Sequence, residues 1–143
     1  MQLQQISVFL ENKSGRLSRV TQLLKESDID ILALCVADSN AHGILRMIVD
    51  KPAKAMEELE KAKFTVSLTQ VIGVAIPDNA GGLSTVIELL AKQHISMEYI
   101  YAFTSRKIGE AIIILRVEDT QSAIDILTSH NVKLITHKEF LRE

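Results

Sequence analysis

The sequence predicts an α+β protein built from two copies of one βαββαβ unit, and three observations carry that reading. A loop motif occurs twice: Asn12-Lys13-Ser14-Gly15-Arg16-Leu17-Ser18 returns 66 residues later as Asp78-Asn79-Ala80-Gly81-Gly82-Leu83-Ser84. The register carries on through Val20/Val86, Leu23/Leu89, Leu24/Leu90, Ile29/Ile95 and Gly43/Gly109. Each loop is preceded by apolar residues at strand spacing and followed by apolar residues at helix spacing. A unit of roughly 60 residues hides only about 60% of the surface of its unfolded chain, so two copies gain by sharing surface. Function is therefore expected where they meet.

In the first copy Ile6, Val8 and Leu10 alternate as a strand, and Leu17, Val20, Leu23 and Leu24 form one helical stripe. After Ser27-Asp28 the apolar stretch Ile29 to Ala37, the polar turn from Asp38 to Gly43 and the alternating run Ile44 to Val49 predict an antiparallel hairpin. Pro52 suits a first helical turn, and Ala55, Met56, Leu59 and Ala62 give the stripe that follows it. Phe64-Thr65-Val66 then returns to extended structure. The second copy repeats this order: strand Ile72 to Ile76, helix Leu83 to Gln93, strands Ile95 to Thr104 and Ala111 to Val117, a helix around Ala123 to Leu127, and a strand Val132 to Thr136.

This order is the ferredoxin-like arrangement, in which an antiparallel sheet carries its helices on one face. The boundaries follow as 1–69 and 70–143, and the absence of a Gly/Pro/Ser-rich linker near Ser67-Leu68-Thr69-Gln70 predicts copies packed rigidly together. Ile112 and Ile114 alternate with Ile113 and Leu115, so one strand is apolar on both faces. A second chain stacked on the open face is the simplest cover, which predicts a homo-oligomer, at least a dimer.

Composition excludes several classes. The 143 residues carry 16 basic and 18 acidic side chains in no stripe, so nucleic acid is not an expected partner. The chain holds no run of about 20 apolar residues and no signal-peptide pattern, which predicts a cytoplasmic protein without membrane contact. Cys35 is the one cysteine, set in an apolar run where a thiol acts as a small hydrophobe. Tyr99, Tyr101 and Phe103 share a strand face, read as packing. His42, His94, His130 and His137 show no metal-ligand spacing, and no nucleophile pairs with a base. No metal, cofactor or catalytic residue is expected.

A βαββαβ unit whose first strand ends in Asp/Asn-x-x-Gly-x-Leu resembles the ACT domain, a small regulatory module that binds amino acids. The resemblance covers Leu3 to roughly Thr136. It implies a non-catalytic, amino-acid-binding regulatory protein with ligand sites at the interface of two such domains. The family's loop, Asp/Asn-x-Pro-Gly-x-Leu, maps onto Asn12, Gly15 and Leu17 and onto Asp78, Gly81 and Leu83, with Ser14 and Ala80 in place of proline. Lys13, Arg16, Asn79 and Gly82 complete the two loops as ligand-binding candidates. The family's Gly-Ile-Asn-Ile pattern places Asp30 and Ser96 where a ligand-contacting Asn sits.

The residues of the loop support the same chemistry. Glycine lets the backbone turn sharply and approach a ligand, and a helix N-terminus offers unpaired N–H groups to a carboxylate. Asn12, Asp78 and Asp30 are acceptors for an α-ammonium. The plainer reading is that Asn12, Ser14 and Asp78 cap their helices. Gly81-Gly82 is expected to leave more room for a ligand than Gly15-Arg16, whose side chain fills its own site or supplies a charge. Two other readings stand beside this one: a regulatory subunit or interaction module acting on a partner enzyme without a ligand of its own, and an acylphosphatase-like enzyme using Arg16 as its phosphate-binding arginine.

Overall fold

A computed structural model of the chain describes residues 2–11, 15–38, 42–104 and 107–142. The elements run β1 (Gln2–Glu11), α1 (Arg16–Glu26), β2 (Ile31–Asp38), β3 (His42–Val49), α2 (Pro52–Lys61), β4 (Thr65–Pro77), α3 (Gly82–Lys92), β5 (Met97–Thr104), β6 (Glu110–Val117), α4 (Thr120–Ser129), β7 (Lys133–Ile135) and α5 (His137–Arg142). Two compact units emerge: Gln4–Thr69, and the chain from Gln70 onward, to which Leu3 also belongs. The division falls inside β4. That single strand closes the first unit with its early residues and opens the second with its later ones, which is why no linker signal is present in the sequence.

In the first unit the strand order is β2-β3-β1-β4, and in the second it is β5-β6-β4-β7, the same ferredoxin-like arrangement twice. In the first unit Ile6, Val8 and Leu10 of β1 and Leu45, Met47 and Val49 of β3 pack against Val20, Leu23 and Leu24 of α1 and Ala55 and Leu59 of α2. The second unit repeats this with Ile72, Val74 and Ile76 against Val86, Leu90, Ala123 and Leu127. The period-2 and period-3.6 patterns thus converge on one helix-facing layer in each unit.

All four main helices end in the same way. Residues Asp28, Lys63, His94 and Asn131 adopt left-handed backbone (φ 56°, 70°, 55° and 60°), and the next residue donates back to a carbonyl: Ile29 to Leu24, Phe64 to Leu59, Ile95 to Leu90 and Val132 to Leu127, at 2.9–3.0 Å. This closure satisfies the last carbonyls and turns an apolar residue back onto the helix. It also makes Phe64 and Val132 equivalent.

That equivalence corrects the repeat register. Val8 faces Leu45, whereas Val74, 66 residues on, faces Ile113, which is 68 residues on. The second hairpin is therefore two residues longer, and the offset changes from 66 to 68 across it. Gly43 corresponds to Ala111 rather than Gly109, because Gly43 faces Leu10 and Ala111 faces Ile76. His42, expected in the turn, is instead the first residue of β3, opposite Glu11.

The far face of the second unit is also resolved. Ile112 and Ile114 point away from α3 and α4, yet they are 1% and 0% exposed. Phe103 lies opposite Ile112, hence on the same far face, and its ring meets that of Phe140 on α5 at 5.2 Å in an edge-on arrangement. The short C-terminal helix, which periodicity did not reveal, folds back over this face. The expectation that a second chain must cover Ile112 and Ile114 is corrected accordingly, and the argument for a dimer from these residues falls with it.

Candidate functional site

The β4–α3 loop is a tight turn held by backbone. The Asp78 N–H donates to Gly109 O at 2.8 Å, Gly82 N–H to Asn79 O at 3.2 Å, and both the N–H and the hydroxyl of Thr85 reach Gly81 O at 3.2 and 3.1 Å. Gly81 has φ +89°, which an L side chain rarely tolerates, and it occupies the N-cap position of α3. No side chain caps this helix, so the capping reading of Asp78 is not what the structure shows. The first turn of α3 keeps its orphan N–H dipoles directed at the loop.

Beside the loop is a cavity of about 590 Å³, lined by Asn79, Ala80, Gly81 and Gly82 from the turn, Thr85 and Val86 from α3, and the segment from His130 to Lys133. At the neighbouring strand end, Glu110 Oε1 is buried without a hydrogen bond, with Lys133 Nζ 3.9 Å away. At Gly82 an added Cβ would meet the Pro77 carbonyl, so the missing side chain admits the protein's own backbone. The room lies beyond it, toward Val132 and Lys133.

In the first unit a cavity of about 280 Å³ is bounded by Phe9, Leu10, Glu11, His42 and Thr65, beside the strand end that leads to its loop. Arg16, the counterpart of Gly82, is the first residue of α1. Its guanidinium pairs with Glu11 at 3.2 Å and lies 5.5 Å from the centre of the Phe64 ring. At the matching positions of the second unit stand Gly82, Pro77 and Val132, all lining the larger cavity. Three concerted differences remove an arginine, its carboxylate and its aromatic platform together. An arginine already engaged this way is not set up to grip a phosphate, which counts against the acylphosphatase reading.

Gly15 mirrors Gly81, at φ +86° and in the N-cap position of α1 without a side-chain cap. Leu17 and Leu83 occupy equal places on the first helical turns and are 40% and 43% exposed. Asn12, Lys13 and Ser14 lie outside the described residues. Asp30 and Ser96 do not join their loops: Ser96 O accepts from Glu118 N–H, next to Val117, while Pro77 pairs with Glu110 at the other end of β6. Seven residues of strand separate those ends, about 23 Å. Asp30 is likewise tied to Asp50, whose N–H and carboxylate bond its carbonyl and its N–H at 3.1 and 2.9 Å. Within one unit, the loop and the Asn-equivalent residue thus lie at opposite ends of the strands. Among the described residues no group of His, Cys, Asp and Glu is arranged to hold a metal ion, and no helix is long and apolar enough to cross a membrane.

Thr85, His130, Asn131, Val132 and Lys133 were missed by sequence reasoning; aligning the copies with the 68-residue offset would have exposed the Phe64/Val132 exchange. A family model described as an ACT domain pair matches residues 1–142. The chain belongs to the ACT domain family. Among curated proteins, this ACT pair is 31% identical over 99 residues to the acetolactate synthase small subunit of Haemophilus influenzae, covering 68% of the chain and 52% of the subunit. It therefore spans about half the length of that relative. Among solved structures, protein BT0572 from Bacteroides thetaiotaomicron superposes with a TM-score of 0.92 at 36% identity, over 98% of this chain and 96% of the other. The ligand-free regulatory subunit of aspartate kinase from Thermus thermophilus shares the fold, with a TM-score of 0.61 at 16% identity over 88% and 90% of the two chains.

Proposed function

We propose that this ACT pair is a non-catalytic regulatory protein that binds a free amino acid in the cavity beside Gly81. The observation that carries the reading is the contrast between matching residues: Arg16 is held between Glu11 and Phe64 in the first unit, whereas Gly82, Pro77 and Val132 line an open cavity in the second. The uncapped start of α3 favours a carboxylate, and Lys133 adds a positive charge at the rim. The volume is in the range of small-molecule sites, which run from about 300 to 1,000 Å³.

Similarity to an enzyme's small subunit supports a partner enzyme as the target of regulation. Co-purification from a native extract tests that partner. The ligand is tested by calorimetric titration with a panel of amino acids. One of them is expected to bind in a single site per chain and to raise the melting temperature, since a ligand held only by the folded state adds about 2.7 kcal/mol at a hundredfold excess over Kd. Val132→Phe, which places the first unit's residue in the second unit's pocket, is expected to weaken binding at least tenfold with the fold intact by circular dichroism. Silence across the whole panel, or undiminished binding in folded Val132→Phe, refutes the site.

A further inference from the structure

A second cavity, of about 470 Å³, runs between the end of α3 and one face of α4, from its N-cap Asp119 to its last residue Ser129. Its lining includes Glu118, Asp119 and Asp125 and contains no lysine or arginine. The first unit shows what belongs in such a place. There the Lys51 ammonium donates to the backbone carbonyl of Asp28 and stands 3.4 Å from its carboxylate, and the Lys54 ammonium donates to Ser27 O at 2.6 Å. Both carbonyls lie just past the end of α1, where the helix dipole favours a cation.

The second unit keeps that backbone and loses the lysines. His94 repeats the left-handed conformation of Asp28, at φ 55° against 56°, so the carbonyls of Gln93 and His94 are presented as those of Ser27 and Asp28 are. With the 68-residue offset, Lys51 becomes Asp119, Lys54 becomes Ser122 and Lys61 becomes Ser129, and all three replacements line the cavity. Asp119 caps α4, accepting from the N–H of Ser122 at 3.1 Å and from its hydroxyl at 2.6 Å, and those bonds hold its carboxyl below the usual carboxylate range. It is thus a fixed negative charge where the sister unit has a positive one.

We infer that this cavity binds the primary ammonium of a small aliphatic amine, standing where Lys51 and Lys54 stand in the first unit. The ligand class is a primary ammonium on a flexible alkyl arm, as in a short diamine or a basic amino acid. The ammonium donates to the carbonyls of Gln93 and His94, and Glu118, Asp119 and Asp125 supply the countercharge. The site is separate from the Gly81 cavity and does not depend on it.

Titration of the full chain with 1,5-diaminopentane, and in a parallel arm with lysine, distinguishes the two sources. Saturable binding of one equivalent of either is expected, with none of tetramethylammonium at equal ionic strength, because that cation has charge but no N–H. Ser122→Lys, which restores the first unit's ammonium on an exposed position, is expected to weaken amine binding at least tenfold; if it does not fold, Asp125→Lys serves the same purpose. Val132→Phe, which closes the other cavity, leaves amine binding unchanged, so the two sites are tested independently. Failure of both amines to bind at millimolar concentration, equal binding of tetramethylammonium, or undiminished binding in the folded lysine variant overturns the proposal.

Discussion

Replacing Gly82 with alanine is expected to cost about 3 kcal/mol of stability, the upper range for overpacking at a site that cannot relax. The added Cβ would strike the Pro77 carbonyl oxygen. That oxygen cannot easily move, because Pro77 ends the register of β4 with β6 opposite Glu110, and the Asp78 N–H just beyond is bonded to Gly109. Gly81→Ala and Gly15→Ala make an informative contrast. A Cβ at either position meets nothing within 4 Å, so only the left-handed backbone is penalised, at about 1 kcal/mol. Denaturant unfolding of the three variants should therefore rank Gly82→Ala well below the other two. Equal stabilities would mean that the turn relaxes around a side chain and that Gly82 is not a steric requirement.

The two loops were legible because their residues repeat and their chemistry is local. Gly15 and Gly81 both take the positive φ that the motif demands, and Val20/Val86 and Leu24/Leu90 both land on helix faces against the sheet. What sequence could not supply depends on distance through space. Asp30 and Ser96 look close to the loops in the family pattern, but a β-strand's length separates them within each unit. Helix ends gave no signal either, since Asp28, Lys63, His94 and Asn131 do at positive φ what glycine usually does, and Asp28 and His94 share no chemistry. The hairpin insertion was invisible while both hairpins ended near a glycine, and it concealed the match of Phe64 with Val132. The contrast at these positions became readable only once strand register had fixed the equivalences.

Removing the Phe140 ring is expected to have the other large effect. Phe140 is 5% exposed and holds α5, a helix of 6 residues that is too short to persist on its own propensity. Phe140→Ala should cost about 3 kcal/mol, the lower end for a buried phenylalanine, because a terminal helix can shift to fill part of the gap. Ile112, opposite the Phe103 that Phe140 meets, and Ile114 are buried on the face away from α3 and α4, so their burial depends on what covers that face. With α5 loosened, this apolar surface meets water, and the variant should self-associate in sedimentation velocity at concentrations where the wild type does not change mass. Scanning calorimetry and sedimentation together decide whether α5 is the cover of this face. If Phe140→Ala melts like the wild type and keeps the same mass, α5 is not what covers this face, and another part of the chain accounts for the burial of Ile112 and Ile114.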